Sequence, residues 1–306
     1  MTSVLVQTPG VQISARAGKL VLESREARRE WPLGHVTELI VVGHARISTA
    51  TILDLAGRGV PVHFQARADQ LPVSVWDAWN GSLDALRRQF SAPEAHRLAA
   101  ARALVVAKIG NSEWVLRRLG HPARLSLDAA QQSTDADTLR GHEGFAARQY
   151  FAALAELLPG WEFQARLYRP APDPVNAALS FAYTFLLRHT LSALHHAGLH
   201  AGLGTLHVPH GRRPALALDL MEPFRAPVCD LTVLGLLRSG QLPRDGFEVS
   251  AEEVRLGQAG CLTVTAALND RIHRWGIGVA LRRQVGAVQA AGQGDACACW
   301  QPPVRP

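Results

Sequence analysis

The chain has 306 residues, 47% of them apolar, and a formal net charge of +6. This length allows one large domain or two ordinary ones, and the apolar content is normal for a soluble globular protein. Lysine occurs only at Lys19 and Lys108, so arginine carries nearly all the positive charge. Arginine makes planar, bidentate contacts with phosphate, which favours a nucleic-acid partner. A GC-rich genome would explain the arginine bias but not the positive net charge.

Cysteine usage and the chain's start indicate a cytoplasmic protein. Four cysteines are too few for a disulfide scaffold, and Cys297 and Cys299 lack the two-residue gap of a zinc knuckle. We therefore expect free thiols near a frayed tail. The start, "MTSVLVQTPG", lacks the features of a signal peptide, and no run of 18 apolar residues predicts a membrane span.

Residues 1–78 are predicted to form a small β-rich domain. Alternating or β-branched stretches that favour strands are "SVLVQ", "VQISARAGKLVLES", "VTELIVV", "VPVHFQ" and "LPVSVW". Ala17-Gly18 indicates a hairpin turn within the second stretch. Ser48 or Thr49 is suited to cap one short helix, which Gly57 or Gly59 would end.

The rest of the chain is predicted to be helical, so the fold class is α+β with two domains. Its parts are a connector over 79–93, an all-α domain over 94–290 and a C-terminal tail over 291–306. Capping-box spacings at Ser91/Glu94 and Thr134/Asp137 predict the starts of two long helices. Further helices are expected over 176–198, 217–240, 250–257, 261–275 and 277–291. The positive residues of the first long helix are expected to form a solvated face: Arg97, Arg102, Lys108, Arg117 and Arg118.

Three places in the helical part carry candidate functional residues. Glu143 in "RGHEGFAARQYF" is followed by Gly144, which lowers helix stability by about 1 kcal/mol relative to alanine and suggests close approach of a ligand or chain. His207 follows the glycine-rich turn of "AGLGTLHVPHGRRP", and Asp219 and Glu222 lie three residues apart in "LALDLMEPFR". Taken singly, each is better explained as a surface or packing residue.

Taken together, these residues suit a hard metal ion. Carboxylates with one imidazole are ligands for Mg²⁺ or Mn²⁺, and the nitrogen ligand tips the preference toward Mn²⁺. Arginines capable of meeting phosphate flank the acids at Arg212, Arg213 and Arg225. A metal ion with flanking arginines points to phosphoryl-transfer chemistry on nucleic acid.

An ordered series of motifs spans about residues 3–290. It runs through "ISTATILDLAGRGVPVHF", "RLAAARALVVAKIGNSEWVLRR", "GHEGFAARQYF", "RPAPDPVNAALSFAYTFL", "AGLHAGLGTLHVPHGRRPALALDLMEPFRAPVCD" and "VSAEEVRL". In this series the sequence resembles the CRISPR-associated integrase family (CRISPR-associated protein one), which inserts new spacers into CRISPR arrays. No single motif is decisive, but the order and spacing together are highly specific.

The resemblance implies site residues at the positions that match the family's motifs. Glu143, His207 and Glu222 would bind Mg²⁺ or Mn²⁺, and Asp219 would orient the site or bind metal transiently. The family often has aspartate where Glu222 stands. The residues implied to line the site or contact DNA are Asn176, Tyr183, Arg213 and Arg225, followed by Arg166 and Arg169.

The resemblance also implies a mechanism and partners. The 3′-hydroxyl of captured prespacer DNA would attack a phosphodiester at the boundary of the CRISPR repeat, so no protein nucleophile is required. The protein would act on double-stranded DNA as a homodimer built through the β-rich domain. Two such dimers would be bridged by a dimer of the small CRISPR-associated protein two.

Two other functions remain open at this stage. One is an integrase of the same family that serves a mobile element, and the other is a catalytically silent DNA-binding scaffold. The set of Glu143, His207, Asp219 and Glu222 argues against a scaffold, which has no need for buried acids. A tyrosine recombinase is disfavoured because the chain lacks its Arg, His-x-x-Arg and Tyr arrangement.

Overall fold

The protein is described by a computed structural model over residues 2–67, 72–76, 82–167, 170–207, 210–211 and 213–303. The chain divides into two compact units, residues 1–80 and 81–306. The first unit contains the sheets predicted from the sequence, and the second is mostly helical.

The first unit contains two four-stranded sheets. The strands are β1 (Thr2–Val6), β2 (Val11–Arg16), β3 (Lys19–Glu23), β4 (Arg28–Pro32), β5 (Val36–Val42), β6 (Ala45–Ile47), β7 (Val62–Gln65) and β8 (Val73–Val75). One sheet has the order β1-β5-β7-β8, in which only the β7–β8 pair is antiparallel. The other has the order β4-β3-β2-β6, with β2 and β6 parallel. The sequence patterns did not predict β4, whose exposed polar residues lack an apolar alternation, or the three-residue β6.

Local chemistry explains the turns of this unit. Ala17 and Gly18 both have positive φ, at 48° and 73°, which is the backbone of the tight hairpin turn that joins β2 to β3. Ser48 caps helix α1 (Thr49–Gly57) by accepting a hydrogen bond from the backbone N–H of Thr51. Apolar residues from both sheets and α1 form one buried core, including Ile13, Leu39 and Leu55.

The second unit contains nine α-helices and a β-hairpin in its described residues. The helices are α2 (Leu83–Ser91), α3 (Glu94–Arg118), α4 (Leu127–Gln131), α5 (Ala136–Glu156), α6 (Pro174–His196), α7 (Ala215–Phe224), α8 (Leu231–Arg238), α9 (Gln258–Arg274) and α10 (Ile277–Ala291). A π-helical segment, Arg225–Asp230, joins α7 to α8 without a break. In the described part of the chain, no helix is long and apolar enough to cross a membrane.

Helix α6 lies at the centre of this unit. Most of its residues are buried, which accounts for the apolar residues all round the helix. Asp173 caps its start, and Pro174 occupies the first turn, where a missing N–H leaves no hydrogen bond unmade. Helix α7 packs against it, and α3 packs against both α7 and α5, the two helices that carry the acidic site residues.

The helix predicted over 250–257 is wrong. This segment forms a hairpin of β9 (Phe247–Val249) and β10 (Val254–Leu256). Ser250 and Glu253 have the spacing of a capping box, but the Ser250 hydroxyl bonds both the N–H and the carbonyl of Glu253 and closes a turn. The same local hydrogen bonds that cap a helix also stabilise a turn, so the spacing alone does not decide between them.

Both predicted capping boxes are also wrong in detail. Ser91 ends α2 and donates its hydroxyl to the Arg87 carbonyl, and Pro93 precedes α3. At α5 the cap is Asp135, which accepts from the Thr138 N–H, one residue after the predicted Thr134. The connector contains α2, and the short α4 lies between α3 and α5. Residues 77–81, part of the predicted domain boundary, lie outside the described residues.

The C-terminal segment is not frayed between Cys297 and Pro303. The Trp300 ring stacks on Phe224 with centroids 4.5 Å apart. The backbone N–H of Trp300 donates to the Gln284 side chain, and its backbone carbonyl accepts from the Asn111 side chain. Cys297 and Cys299 are free thiols, as predicted. An apolar ring and two hydrogen bonds fix a segment that composition alone marks as a tail.

Candidate active site

Lys108 joins the two predicted acidic ligands. It lies in the middle of α3, and its ammonium forms ion pairs with Glu143 on α5 and with Glu222 on α7, the latter at 2.6 Å. We predicted a solvated Lys108, which is wrong, because the side chain is largely buried. Lys108 follows Leu104 by four residues, so it lies on the buried stripe of α3.

Glu222 is ionised although it is 4% exposed. Burial opposes the charge, but Arg225 and Lys108 outweigh it and lower the pKa of Glu222 to about 2. Arg225 lies one turn further on, with Nη2 3.1 Å from Glu222 Oε1. His207 also acts on Glu222 electrostatically, so the imidazole lies within range of the acidic group.

Asp219 has a different role from Glu222, one turn away on the same helix. It is fully buried, and its carboxylate accepts hydrogen bonds from the backbone N–H groups of Thr205, Leu206 and His207 at 2.6–3.1 Å. It also accepts from His207 Nδ1 at 2.5 Å. Since a carboxylate only accepts, Nδ1 carries the proton and the lone pair of Nε2 remains for another ligand. Asp219 therefore fixes both the turn and the tautomer of His207.

These donors fit a hard divalent cation. Two carboxylates from different helices converge on one cation, here the Lys108 ammonium, beside an imidazole whose Nε2 keeps its lone pair. Buried Glu222 Oε2 has an ion-pair contact but no hydrogen bond. Within the described residues, no three His, Cys, Asp or Glu side chains are arranged as a ready-made metal cluster.

Four of the predicted DNA-contact residues contact one another next to the acids: Asn176, Tyr183, Arg166 and Arg225. The Tyr183 ring contacts two guanidinium groups, with Arg225 at 4.8 Å and Arg166 at 5.2 Å from its centroid. Asn176 is fully buried and uses its amide inside the protein, accepting from Arg166 Nη1 at 2.8 Å and donating to Ala165 and Asp173. Asn176 therefore positions Arg166, and its predicted place in the DNA-binding site stays a prediction.

Three further predicted positions have different outcomes. Arg213 is exposed just before α7. Arg169 lies outside the described residues. The space beside Gly144 is open, so packing within the described chain does not require glycine there, and the prediction of an approaching ligand stands as made.

The family assignment follows from the sequence comparison. The model of the family "CRISPR associated protein Cas1" matches residues 4–270. The chain belongs to the Cas1 family. A "CRISPR-associated endonuclease Cas1 1" of Thermus thermophilus is 38% identical over 271 residues, which cover 86% of this chain and 84% of the relative.

Solved structures share the Cas1 fold of this chain. A Cas1 protein from Thermotoga maritima has a TM-score of 0.85 at 20% identity, covering 98% of this chain and all of the other. A "Casposase bound to integration product" has a TM-score of 0.83 at 20% identity, with 95% and 91% covered. A "Cas6-RT-Cas1--Cas2 complex" has a TM-score of 0.80 at 22% identity, covering 98% of this chain and 36% of that one.

Sequence reasoning missed one further residue of this Cas1 site. Asp230, at the end of the π-helical segment, is buried and accepts from the Tyr150 hydroxyl at 2.9 Å. Burial raises the pKa of Asp230 to about 6, although hydrogen bonds from Tyr183 and Tyr150 oppose the shift. The aspartate thus anchors Tyr183, the tyrosine whose ring contacts Arg166 and Arg225. Its position in an apolar helix was a sequence signal comparable to that of Asp219.

Proposed function

We propose that this protein is a metal-dependent DNA endonuclease and integrase of CRISPR adaptation, which inserts prespacer DNA into the repeat array. The observation that supports it best is the convergence of Glu143 and Glu222 on one cation, beside a histidine oriented by Asp219. Membership of the Cas1 family, whose curated relatives are named endonucleases, supports the reaction class.

Glu143, His207 and Glu222 would hold Mg²⁺ or Mn²⁺. When bound, such an ion supplies Lewis-acid stabilisation of charge on phosphate oxygens. The protein's contribution is to fix the ligands. Asp219 keeps the proton on His207 Nδ1, and packing of α3, α5 and α7 brings the two glutamates together.

The nucleophile would be the 3′-hydroxyl of the DNA fragment, which attacks a phosphodiester at the repeat boundary. Arg225 would bind the phosphate nearest the acids, and Arg166 a neighbouring phosphate. Tyr183 and Asn176 hold these guanidinium groups in place, so less side-chain entropy is lost when phosphate binds. Exposed Arg213 would contact the DNA backbone further out.

The proposed partners are double-stranded DNA, a second copy of this chain and the small CRISPR-associated protein two. The casposase bound to its integration product and the Cas1–Cas2 complex support the first and the last of these. We propose that residues 1–78 form the homodimer contact.

A mobile-element integrase is the second candidate, because the casposase shares this fold with a TM-score of 0.83. The two functions differ in their DNA targets, a repeat array in one and terminal inverted repeats in the other. A silent scaffold is disfavoured, since keeping Glu222 and Glu143 charged beside Lys108 inside the protein has no use in a protein that only binds DNA.

The proposal is tested by strand transfer into a supercoiled repeat plasmid, with Mn²⁺ or Mg²⁺ and with or without the small partner. Glu143→Ala, His207→Ala and Glu222→Ala should each reduce joining by roughly 10³-fold or more while DNA binding persists. The matched control is Glu156→Ala, an exposed glutamate on the same helix as Glu143, which should keep full activity. Full strand transfer by Glu143→Ala would reject the site.

A further inference from the structure

Lys108 occupies the point where the two acidic groups of the site meet. Its ammonium contacts Glu143 and, at 2.6 Å, Glu222, and these residues come from three different helices. The chain's only other lysine, Lys19, makes an exposed pair with Glu30 at the surface of the first unit. Lys108 therefore lies in the site itself, where carboxylates rather than solvent stabilise its charge.

The two glutamates of the site are already paired with two cations without a metal ion. Glu143 and Glu222 supply two negative charges, and Lys108 and Arg225 supply two positive ones. A divalent ion added to this group would meet the ammonium as a like charge at short range.

The side chain of Lys108 is suited to leave this position. Lysine carries a compact charge on a flexible four-carbon stem, and the ammonium can move without any shift of α3. A cavity lined by Lys108, Tyr150, Tyr183 and Asp230 opens beside the two glutamates. The backbone of α3, buried along this stretch, can therefore stay fixed while the charge moves.

We propose that Lys108 is a built-in counter-cation, which holds Glu143 and Glu222 together in the metal-free protein and which a divalent ion must displace. Lys108 is a positioning residue, because it acts through the two glutamates. This inference rests on the metal site of the proposed function. In that site, the Lys108 ammonium and the divalent ion compete for the same carboxylates.

The test is thermal unfolding and Mn²⁺ titration calorimetry of the full chain, in EDTA and in saturating Mn²⁺. In EDTA, Lys108→Met should lower Tm by roughly 5–15 °C, because it leaves two carboxylates with one cation. Mn²⁺ should recover most of that loss, and Lys108→Met should bind Mn²⁺ roughly tenfold or more tightly than wild type. Lys19→Met, the same substitution at the surface pair, should change neither quantity.

A second variant guards against a general folding defect. Lys108→Met combined with Glu143→Gln should regain part of the Tm lost in EDTA, because it removes one of the unbalanced charges. An equal loss of Tm in EDTA and in Mn²⁺, with unchanged Mn²⁺ affinity, would overturn the inference and leave a purely structural ion pair. An unchanged Tm in EDTA would also overturn it. If wild type binds no Mn²⁺, the metal site of the proposed function fails as well, and the wild-type titration alone reveals that case.

Discussion

At the residue scale, two acids one helical turn apart hold different partners. Asp219 is enclosed by N–H donors of the turn at 205–207, whereas Glu222 faces Lys108 and Arg225. Their spacing predicted a shared site and did not separate these roles, because the N–H donors come from a loop 12–14 residues earlier. Lys108 was missed for a related reason, since its acidic partners lie 35 and more residues away in sequence.

A substitution at Gly204 tests how closely the turn at 205–207 fits around Asp219. A Cβ atom at this position would lie 2.6 Å from the His207 carbonyl and 2.9 Å from Asp219 Oδ2, closer than real Cβ contacts. Gly204→Ala should therefore push the turn off Asp219, release His207 and lower strand transfer by roughly 100-fold. The measurement is the plasmid joining assay together with Tm.

The control for this substitution is Gly286→Ala. Gly286 lies within α10, and a Cβ atom there would meet nothing within 4 Å. Alanine in an open helix position should be neutral or stabilising by up to about 1 kcal/mol. If Gly204→Ala and Gly286→Ala behave alike, the turn is not held as tightly as the contacts around Asp219 indicate.

Asp230 makes stability depend on pH. Its pKa rises from the ordinary 3.8 to about 6 in the folded protein, so the folded state binds the proton more tightly than the unfolded chain. Between pH 3.8 and 6 the free energy of unfolding therefore falls as pH rises, by on the order of 3 kcal/mol in total. Asp230→Asn keeps an acceptor for Tyr150 and should remove this fall.

Denaturant unfolding at pH 4 and pH 7 measures the effect as a difference between variant and wild type. The stability of Asp230→Asn relative to wild type should be greater at pH 7 than at pH 4. Exposed Asp245 provides the control, and Asp245→Asn should show no such difference. A pH-independent difference for Asp230→Asn would show that Asp230 does not bind its proton more tightly on folding.

At the element scale, the helix that carries Glu222 and Arg225 depends on outside support. Pro223 and Pro227 lie within it, and the lack of an N–H on Pro227 removes the usual partner of the Pro223 carbonyl. Asn111 of α3 supplies a replacement donor at 2.7 Å. The π-helical segment begins between these prolines. The sequence predicted a continuous helix over 217–240. Its π-helical turn depends on α3, whose Asn111 lies 112 residues from Pro223 in the sequence.

Trp300, in the C-terminal segment, also supports this helix. Its ring stacks on Phe224 and its carbonyl shares the Asn111 amide with Pro223. Trp300→Ala should lower the free energy of unfolding by about 3 kcal/mol, because it removes a large ring from a stacked contact. Thermal or denaturant unfolding measures this.

Trp300→Phe is the conservative comparison, since it keeps an aromatic ring on Phe224 and the same backbone hydrogen bonds. It should lose less than half as much stability as Trp300→Ala. Equal stability of Trp300→Ala and wild type would mean that residues 297–303 do not support the helix. Composition could not predict this contact, because the preceding glycines and the three last prolines resemble a disordered end.

At the scale of the whole molecule, the division into a β-rich and a helical part could be predicted from periodicity alone. Strand-like alternation ends before residue 80, and 3.6-residue periodicity begins soon after it. The chemistry could not be predicted in this way, because the site draws its residues from α3, α5, α7 and the loop before α7. The ordered motifs of the family supplied Glu143, His207 and Glu222, and the structure added Lys108 and Asp230.

The net charge of +6 and the arginine layer at Tyr183 fit a protein that binds DNA through its phosphates. In the proposed reaction, the DNA supplies its own nucleophile and the acidic site supplies the catalysis. This reaction differs from a recombinase mechanism in the bond that forms, which joins two DNA strands without a covalent protein intermediate.

The most direct test is Mn²⁺-dependent joining of a labelled DNA fragment to a supercoiled repeat plasmid, comparing a 3′-hydroxyl end with a 3′-deoxy end. We expect wild type to join the hydroxyl fragment at least roughly 100-fold more efficiently than the 3′-deoxy fragment. Glu222→Ala should lose joining of both. Joining of the 3′-deoxy fragment, or label that remains covalently attached to the protein, would contradict the account.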